Sequence, residues 1–206
     1  MSSIKSELIY WANELENHSM PNWDSLPDID LYMDQVITYL EKQLAIFSKS
    51  EDEKLITPAM INNYVKNGII PRPLNKKYTR KHMAYLLSVL SLKNILSLMD
   101  ITRLISHEKK EQLKNTLFDE LNSIQDEAFK ATSIKLKKSL EKFDDENTDE
   151  DYEERLSLLA LKFSMEANAN RITAKKILEE IMSHRSKHQE TYSKGNGKSK
   201  GKEKSN

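Results

Sequence analysis

Between Val65 and Thr79 this chain cannot form one continuous helix, and the interruption sets what the residues on either side can do. Gly68 is followed by Pro71 and Pro73. Glycine takes the left-handed conformation at a helix C-terminus without steric cost, whereas proline cannot continue a helix and biases the residue before it toward extended geometry. The flanks read as helical. Thr57-Pro58 is a helix start, with a threonine oxygen for a free backbone N–H and proline at the first helical position. Thr79 is a second N-cap, followed by Met83, Leu86, Leu87 and Leu90 on one face. Ser97 with Asp100 matches a capping box ahead of Ile101, Leu104 and Ile105. The spacing therefore predicts a short helix, a turn-rich hairpin and two further helices over 57–105.

The charge of this stretch is one-sided. Arg72, Lys76, Lys77, Arg80 and Lys81 occur without an acidic residue between them, and His82 follows. Arg80 and Lys81 fall in the first turn of their helix, where each cation opposes the macrodipole by about 0.3–1 kcal/mol. A phosphate backbone compensates such charges. In the preceding helix, Ile61, Tyr64 and Val65 are expected inward. That leaves Met60, Asn62, Asn63, Lys66 and Asn67 outward, next to the Thr57 cap. Asparagine suits bidentate reading of adenine, and lysine suits guanine or phosphate. Tyr78 either reaches a phosphate or packs beneath the hairpin. These twelve positions, Thr57 to Lys81, are the expected DNA contacts, with the basic turn supplying affinity more than sequence choice.

The segments "NNYVKNGIIP" and "KYTRKHMAYLLSVLSLKNILSLMDITRLI" resemble the winged helix-turn-helix of MerR-type regulators. Gly68-Ile69 matches the end of that family's recognition helix, Lys77-Tyr78-Thr79 its wing motif, and Ser97 to Ile101 its second helix start. Asn62 stands where the MerR pattern usually has an arginine that touches DNA, and the segment SKSEDEKLI ahead of Thr57 is longer than the usual tight turn. About Leu31 to Ile105 is also similar to the domain-of-unknown-function 1836 family of small bacterial proteins, in "YMDQVITYLEKQL", "ITPAMINNYVKNGIIPRP" and "KKYTR". The resemblance implies a MerR-like winged helix-turn-helix with a small β-hairpin wing, and a helical C-terminal region that dimerises or senses a signal.

The rest of the chain supports a mainly all-α fold. Charged residues make up 31% of the 206, glycines number only 4, and the apolar residues recur at helical steps. Ile4, Leu8, Trp11, Ala12 and Leu15 mark a first helix, docked on the core or a second subunit. Trp23 anchors the connection after it. A helix over Leu31–Phe47 carries Val36, Leu40, Leu44 and Phe47. His107–Phe143 reads as helical with Leu113, Leu117, Leu121, Ile124 and Ala128 along one stripe, a break near Thr132-Ser133, and Ile134, Leu136, Leu140 and Phe143 continuing the apolar pattern with a phase change. The acidic 144–154 block reads as a loop, and Thr173 as the cap of a final helix. The expected divisions are 1–30 (helix and connection), 31–106 (DNA-binding domain), 107–185 (helical dimerisation or sensing region) and 186–206 (disordered basic tail).

Lys and Arg total 32, as do Asp and Glu, but binding follows the local field and not the sum. No apolar run approaches the ~20 residues of a membrane span, and no signal peptide is recognisable, so a cytoplasmic location is expected. Cysteine is absent, which excludes disulfides and thiolate metal sites. His184 and His188 stand four apart without a third ligand, and the acidic block lacks calcium-loop spacing, so no metal or other cofactor is expected. No phosphate-cradling glycine loop or nucleophile–base motif supports catalysis. The expected function is a dimeric, non-enzymatic DNA-binding transcriptional regulator, of repressor type, acting on double-stranded DNA. The alternative is a helical protein–protein adaptor that keeps the winged fold without DNA. An RNA-associated role is disfavoured, because no aromatic stacking series interleaves with the basic residues. No effector is identifiable.

Overall fold

The computed structural model describes residues 2–48, 54–105, 115–143 and 149–197, with side chains within 4–48, 54–105, 115–143 and 151–187. It is mainly helical. The described α-helices are α1 (Ser2–Asn17), α2 (Met33–Gln43), α3 (Pro58–Lys66), α4 (Arg80–Leu92), α5 (Leu98–Ile105), α6 (Asn115–Leu140) and α7 (Asp149–Gly197). Two compact units are present, residues 1–159 and residues 160–206.

The core of the first unit is built on α4. Every residue from His82 to Leu90 is buried, where the apolar spacing alone predicts a single inward face. This helix packs against α2, α5 and α6, and burying such a helix on all sides requires neighbours that each present an apolar stripe. They do so with Val36 and Leu40 of α2, Ile101 and Ile105 of α5, and Phe118 of α6. The α4 C-terminus is tied to the segment before α3 by Lys93, whose Nζ donates to the Leu55 carbonyl at 2.9 Å. The predicted Ser97 cap of α5 is present, its Oγ accepting the Asp100 N–H at 3.2 Å and donating to the Asp100 carboxylate at 2.6 Å.

The N-terminal helix docks on α6, and the two run antiparallel. Lys5 Nζ donates to the Phe143 carbonyl at 3.3 Å, Ser133 Oγ to the Ala12 carbonyl at 2.6 Å, and Lys137 pairs with Glu16 at 2.5 Å. The connection after α1 continues along the same helix. Met20 N–H donates to Asp126 at 3.2 Å, Asn122 Nδ2 to the Pro21 carbonyl at 2.8 Å, and Trp23 N–H to Asp119 at 2.6 Å. Trp23 also stands edge-on to Phe118, at 6.3 Å between ring centroids. Of the predicted inward residues of α1, Ala12 and Leu15 are buried, while Ile4 and Trp11 remain about half exposed, at 49% and 45%.

Several expectations require correction. The β-hairpin wing is absent as a sheet: among the described residues there is no strand, only isolated antiparallel bridges at Leu31–Tyr78 and Leu74–Lys77. Pro71 and Pro73 remove ladder donors from the segment that would form the first wing strand. In the first half of α6 the inward residues are Phe118 and Asn122, not the predicted leucine series, and Ile124 is 61% exposed; further on Leu136 and Leu140 are buried as expected, with Ser133 beside them. Asn122 and Ser133 take inward places because each donates to a backbone carbonyl of the packed N-terminal segment, which a purely apolar pattern cannot foresee. The predicted break near Thr132-Ser133 does not occur, and Leu113 lies outside the described residues. Thr173 caps nothing; it sits inside α7, its hydroxyl donating to the Ala169 carbonyl at 3.0 Å. Helix α7 begins inside the expected acidic loop and reaches Gly197, within the expected tail, while 144–148 and 198–206 lie outside the described residues.

Candidate nucleic-acid interface

Helix α3 starts as its sequence requires, with Thr57 Oγ1 accepting the Met60 N–H at 3.3 Å. Thr57 is thus occupied as a cap and is only partly exposed. Ile61 and Tyr64 are buried at 0% and 4%, which turns Asn62, Asn63, Lys66 and Asn67 to solvent. Asn67 Nδ2 donates to the Asn63 side-chain oxygen at 2.8 Å and to the Asn63 carbonyl at 2.9 Å. These two amides therefore form a paired unit, leaving Asn62 as the independent one. Gly68 ends the helix at φ +69°, its own N–H donating to the Val65 carbonyl at 3.1 Å. A Cβ at Gly68 would meet nothing within 4 Å, so the requirement for glycine here is conformational only.

The basic segment that follows is a tight turn. Lys77 N–H donates to the Leu74 carbonyl at 2.9 Å, and the two central residues, Asn75 and Lys76, have φ of 50° and 62°. Positive φ at both positions is the type I′ pattern, whose second position favours glycine. Here an exposed lysine occupies it. Below the turn, Tyr78 exchanges both backbone bonds with Leu31, at 2.8 and 2.9 Å. Tyr78 is only 3% exposed and stands edge-on to His82, with ring centroids 5.5 Å apart. Its side chain braces the turn, so its expected phosphate contact is replaced by the packing alternative.

The cations divide into two groups. Lys66, Arg72 and Lys76 are exposed and have no ion-pair partner among the described residues. The others are only partly exposed. Lys77 stands over the Tyr32 ring at 5.4 Å, and Arg80 reaches the exposed Asp24 carboxylate at 3.9 Å. Burial pushes the Lys81 pKa down. Arg80 and Lys81 do open α4, with no acidic residue in its first turn. The N-terminal N–H of that helix is satisfied by His82, whose Nδ1 accepts the Thr79 N–H at 3.0 Å. This role for His82, like the Tyr32 and Asp24 contacts, does not follow from apolar or charge spacing; the capping-box spacing of Thr79 and His82 is its one signal in the sequence.

A family model described as a domain of unknown function, DUF1836, matches residues 21–128, just over half of the chain. The chain belongs to the DUF1836 family. The matched span takes in α2 to α5 and the first half of α6, so the DUF1836 region includes both the exposed α3 face and the part of α6 that holds the Met20–Trp23 connection. No curated protein and no solved structure matches the chain. Among the described residues, no helix is long and apolar enough to cross a membrane, and no group of three or more His, Asp or Glu side chains is placed to hold a metal ion.

Proposed function

We propose that this protein is a DNA-binding transcriptional regulator whose α3 enters the major groove while the 72–77 turn rests on the phosphate backbone. The arrangement is a MerR-like helix-turn-helix with its wing reduced to one tight turn. The observation that carries the reading is Lys76: a cation held at positive φ, exposed, at a turn position where glycine costs less. Exposed Lys66 and Arg72 and the open amide of Asn62 support it, because phosphate contacts fix register while amides read base edges. A homodimer through the second unit belongs to the proposal. Leu161, Met165 and Ile172 share one face of α7 and are 51%, 61% and 56% exposed, as a surface awaiting a protein partner would be.

Selection of bound sequences from random duplex DNA, at a stated salt concentration, tests the reading. The expected result is an enriched palindrome, because half-site spacing mirrors two-fold symmetry. Replacing Lys66, Arg72 and Lys76 together by alanine is expected to lower the slope of log K against log salt by about 0.9 for each phosphate contact removed. DNA retention equal to the parent's in that triple variant would overturn the assignment. Salt-insensitive binding of a protein partner, with no DNA binding, would favour the helical adaptor instead.

A further inference from the structure

The seam between the 17–25 connection and α6 opens into a cleft of about 830 Å³ with a mainly polar lining. On its α6 wall stand Asp119, Asn122 and Asp126. Asn122 is 3% exposed; its Nδ2 donates to the Pro21 carbonyl, but its Oδ1 is buried and without a hydrogen-bond partner. A buried amide oxygen in that state costs about 1–3 kcal/mol unless a donor reaches it. The flanking carboxylates receive only neutral donors, the Trp23 N–H at Asp119 and the Met20 N–H and Ser19 hydroxyl at Asp126. Neither has an ion-pair partner among the described residues. Glu127 adds to the negative field, and Lys130, one turn beyond Asp126, limits it. Glu16, also at the cleft, is already paired with Lys137. His18 lines the cleft too; burial holds its pKa down, so at neutral pH it brings no opposing charge.

We propose that this cleft binds a linear polyamine. Residues 119, 122 and 126 are spaced three and four apart and so lie along one face of α6, spanning about 10 Å at 1.5 Å per residue. An extended triamine with three- and four-carbon spacers matches that length. Its end ammonium groups meet Asp119 and Asp126, and the nitrogen between them donates to Asn122 Oδ1. A neutral ligand would satisfy Asn122 but leave the carboxylates unmatched, and an anion is repelled by them. A metal ion is not accommodated, since no three metal-ligating side chains converge here among the described residues.

Titration of the full chain with spermidine, followed by amide NMR, tests this. Saturable shifts are expected at the Met20 and Trp23 backbone N–H and at the Asn122 side-chain amide, the groups bonded at or beside the ligand. Asp126→Asn keeps the side-chain shape and is expected to weaken binding about tenfold. Asn122→Ser is a second variant with the same expectation; if it fails to fold, Asp126→Asn and the shift map of the parent decide alone. No saturable shift at millimolar spermidine would overturn the proposal, meaning that water satisfies Asn122. Equal shifts with tetramethylammonium, or unchanged affinity in Asp126→Asn, would overturn it as diffuse attraction.

Discussion

His82 Nδ1 accepts the backbone N–H of Thr79 at 3.0 Å, so the N-terminus of the central helix is held by an imidazole that must stay unprotonated at that nitrogen. The ring is 6% exposed, and its Nε2 is buried without a hydrogen-bond partner, near the carbonyls of Arg72 and Pro71. Burial pushes the His82 pKa down, and the nearby Arg72 carbonyl, Asp30 and the Pro71 carbonyl only partly oppose it. The His82 ring stands edge-on to Tyr78, the residue that follows the proposed DNA-contacting turn.

Stability is therefore expected to fall as the solution is acidified below about pH 6.5, the ordinary histidine value. In the unfolded chain His82 and His18 take up protons there, whereas in the fold both are held to lower pKa by burial. Unfolding then consumes protons, so the stabilisation is complete above the unfolded value and is lost as pH drops toward the folded ones. Urea midpoints measured between pH 7.5 and 5.5 check this. The slope should shrink in His82→Gln and should not vanish, because His18 still contributes.

Gly68→Ala is expected to destabilise the protein by about 1 kcal/mol, the cost of the left-handed conformation for an L residue. Since open space surrounds the position, no clash adds to that figure. A loss of several kcal/mol on urea unfolding would mean that the chain there is packed against something else.

Lys76→Gly should move fold and function in opposite directions. Removing the side chain from φ 62° is expected to stabilise the protein by about 1 kcal/mol. At the same time the salt slope of DNA binding should fall by about one. Calorimetric unfolding paired with anisotropy titrations at several salt concentrations reads both effects on one variant.

Ser133→Ala removes the second donor to the Ala12 carbonyl, which keeps its bond within α1, and so cuts a buried hydrogen bond of the α1–α6 seam. A cost of about 0.5–1.5 kcal/mol follows from the loss of one such bond. Amide hydrogen exchange should quicken in α1 more than in α4, which does not depend on this bond.

Where the sequence spoke through short-range chemistry, its reading and the fold agree: the Thr57 cap, the Gly68 stop, the Ser97–Asp100 box and the buried Ile61 and Tyr64. Apolar spacing was a poorer guide on α6, because two inward positions are polar and earn their burial through bonds to a segment more than 100 residues away. The wing fell short of a sheet because two prolines limit pairing to isolated bridges. Among the basic residues, composition showed the cluster but not its sorting, since the Tyr32 ring and the Asp24 carboxylate come from elsewhere in the chain. The cleft at Asn122 was invisible for the same reason: its orphaned oxygen exists only once the connection lies against α6.

The antiparallel dock of α1 on α6 also orders events during synthesis. Glu16 meets Lys137, and Ala12 meets Ser133, across more than a hundred intervening positions. A ribosome therefore releases the first helix long before its receiving surface exists, and closing so distant a pairing is slow. During that interval Ala12 and Leu15 are uncovered, so a nascent chain whose emerged part stops short of residue 140 should be a better chaperone client than one from which residue 140 has emerged.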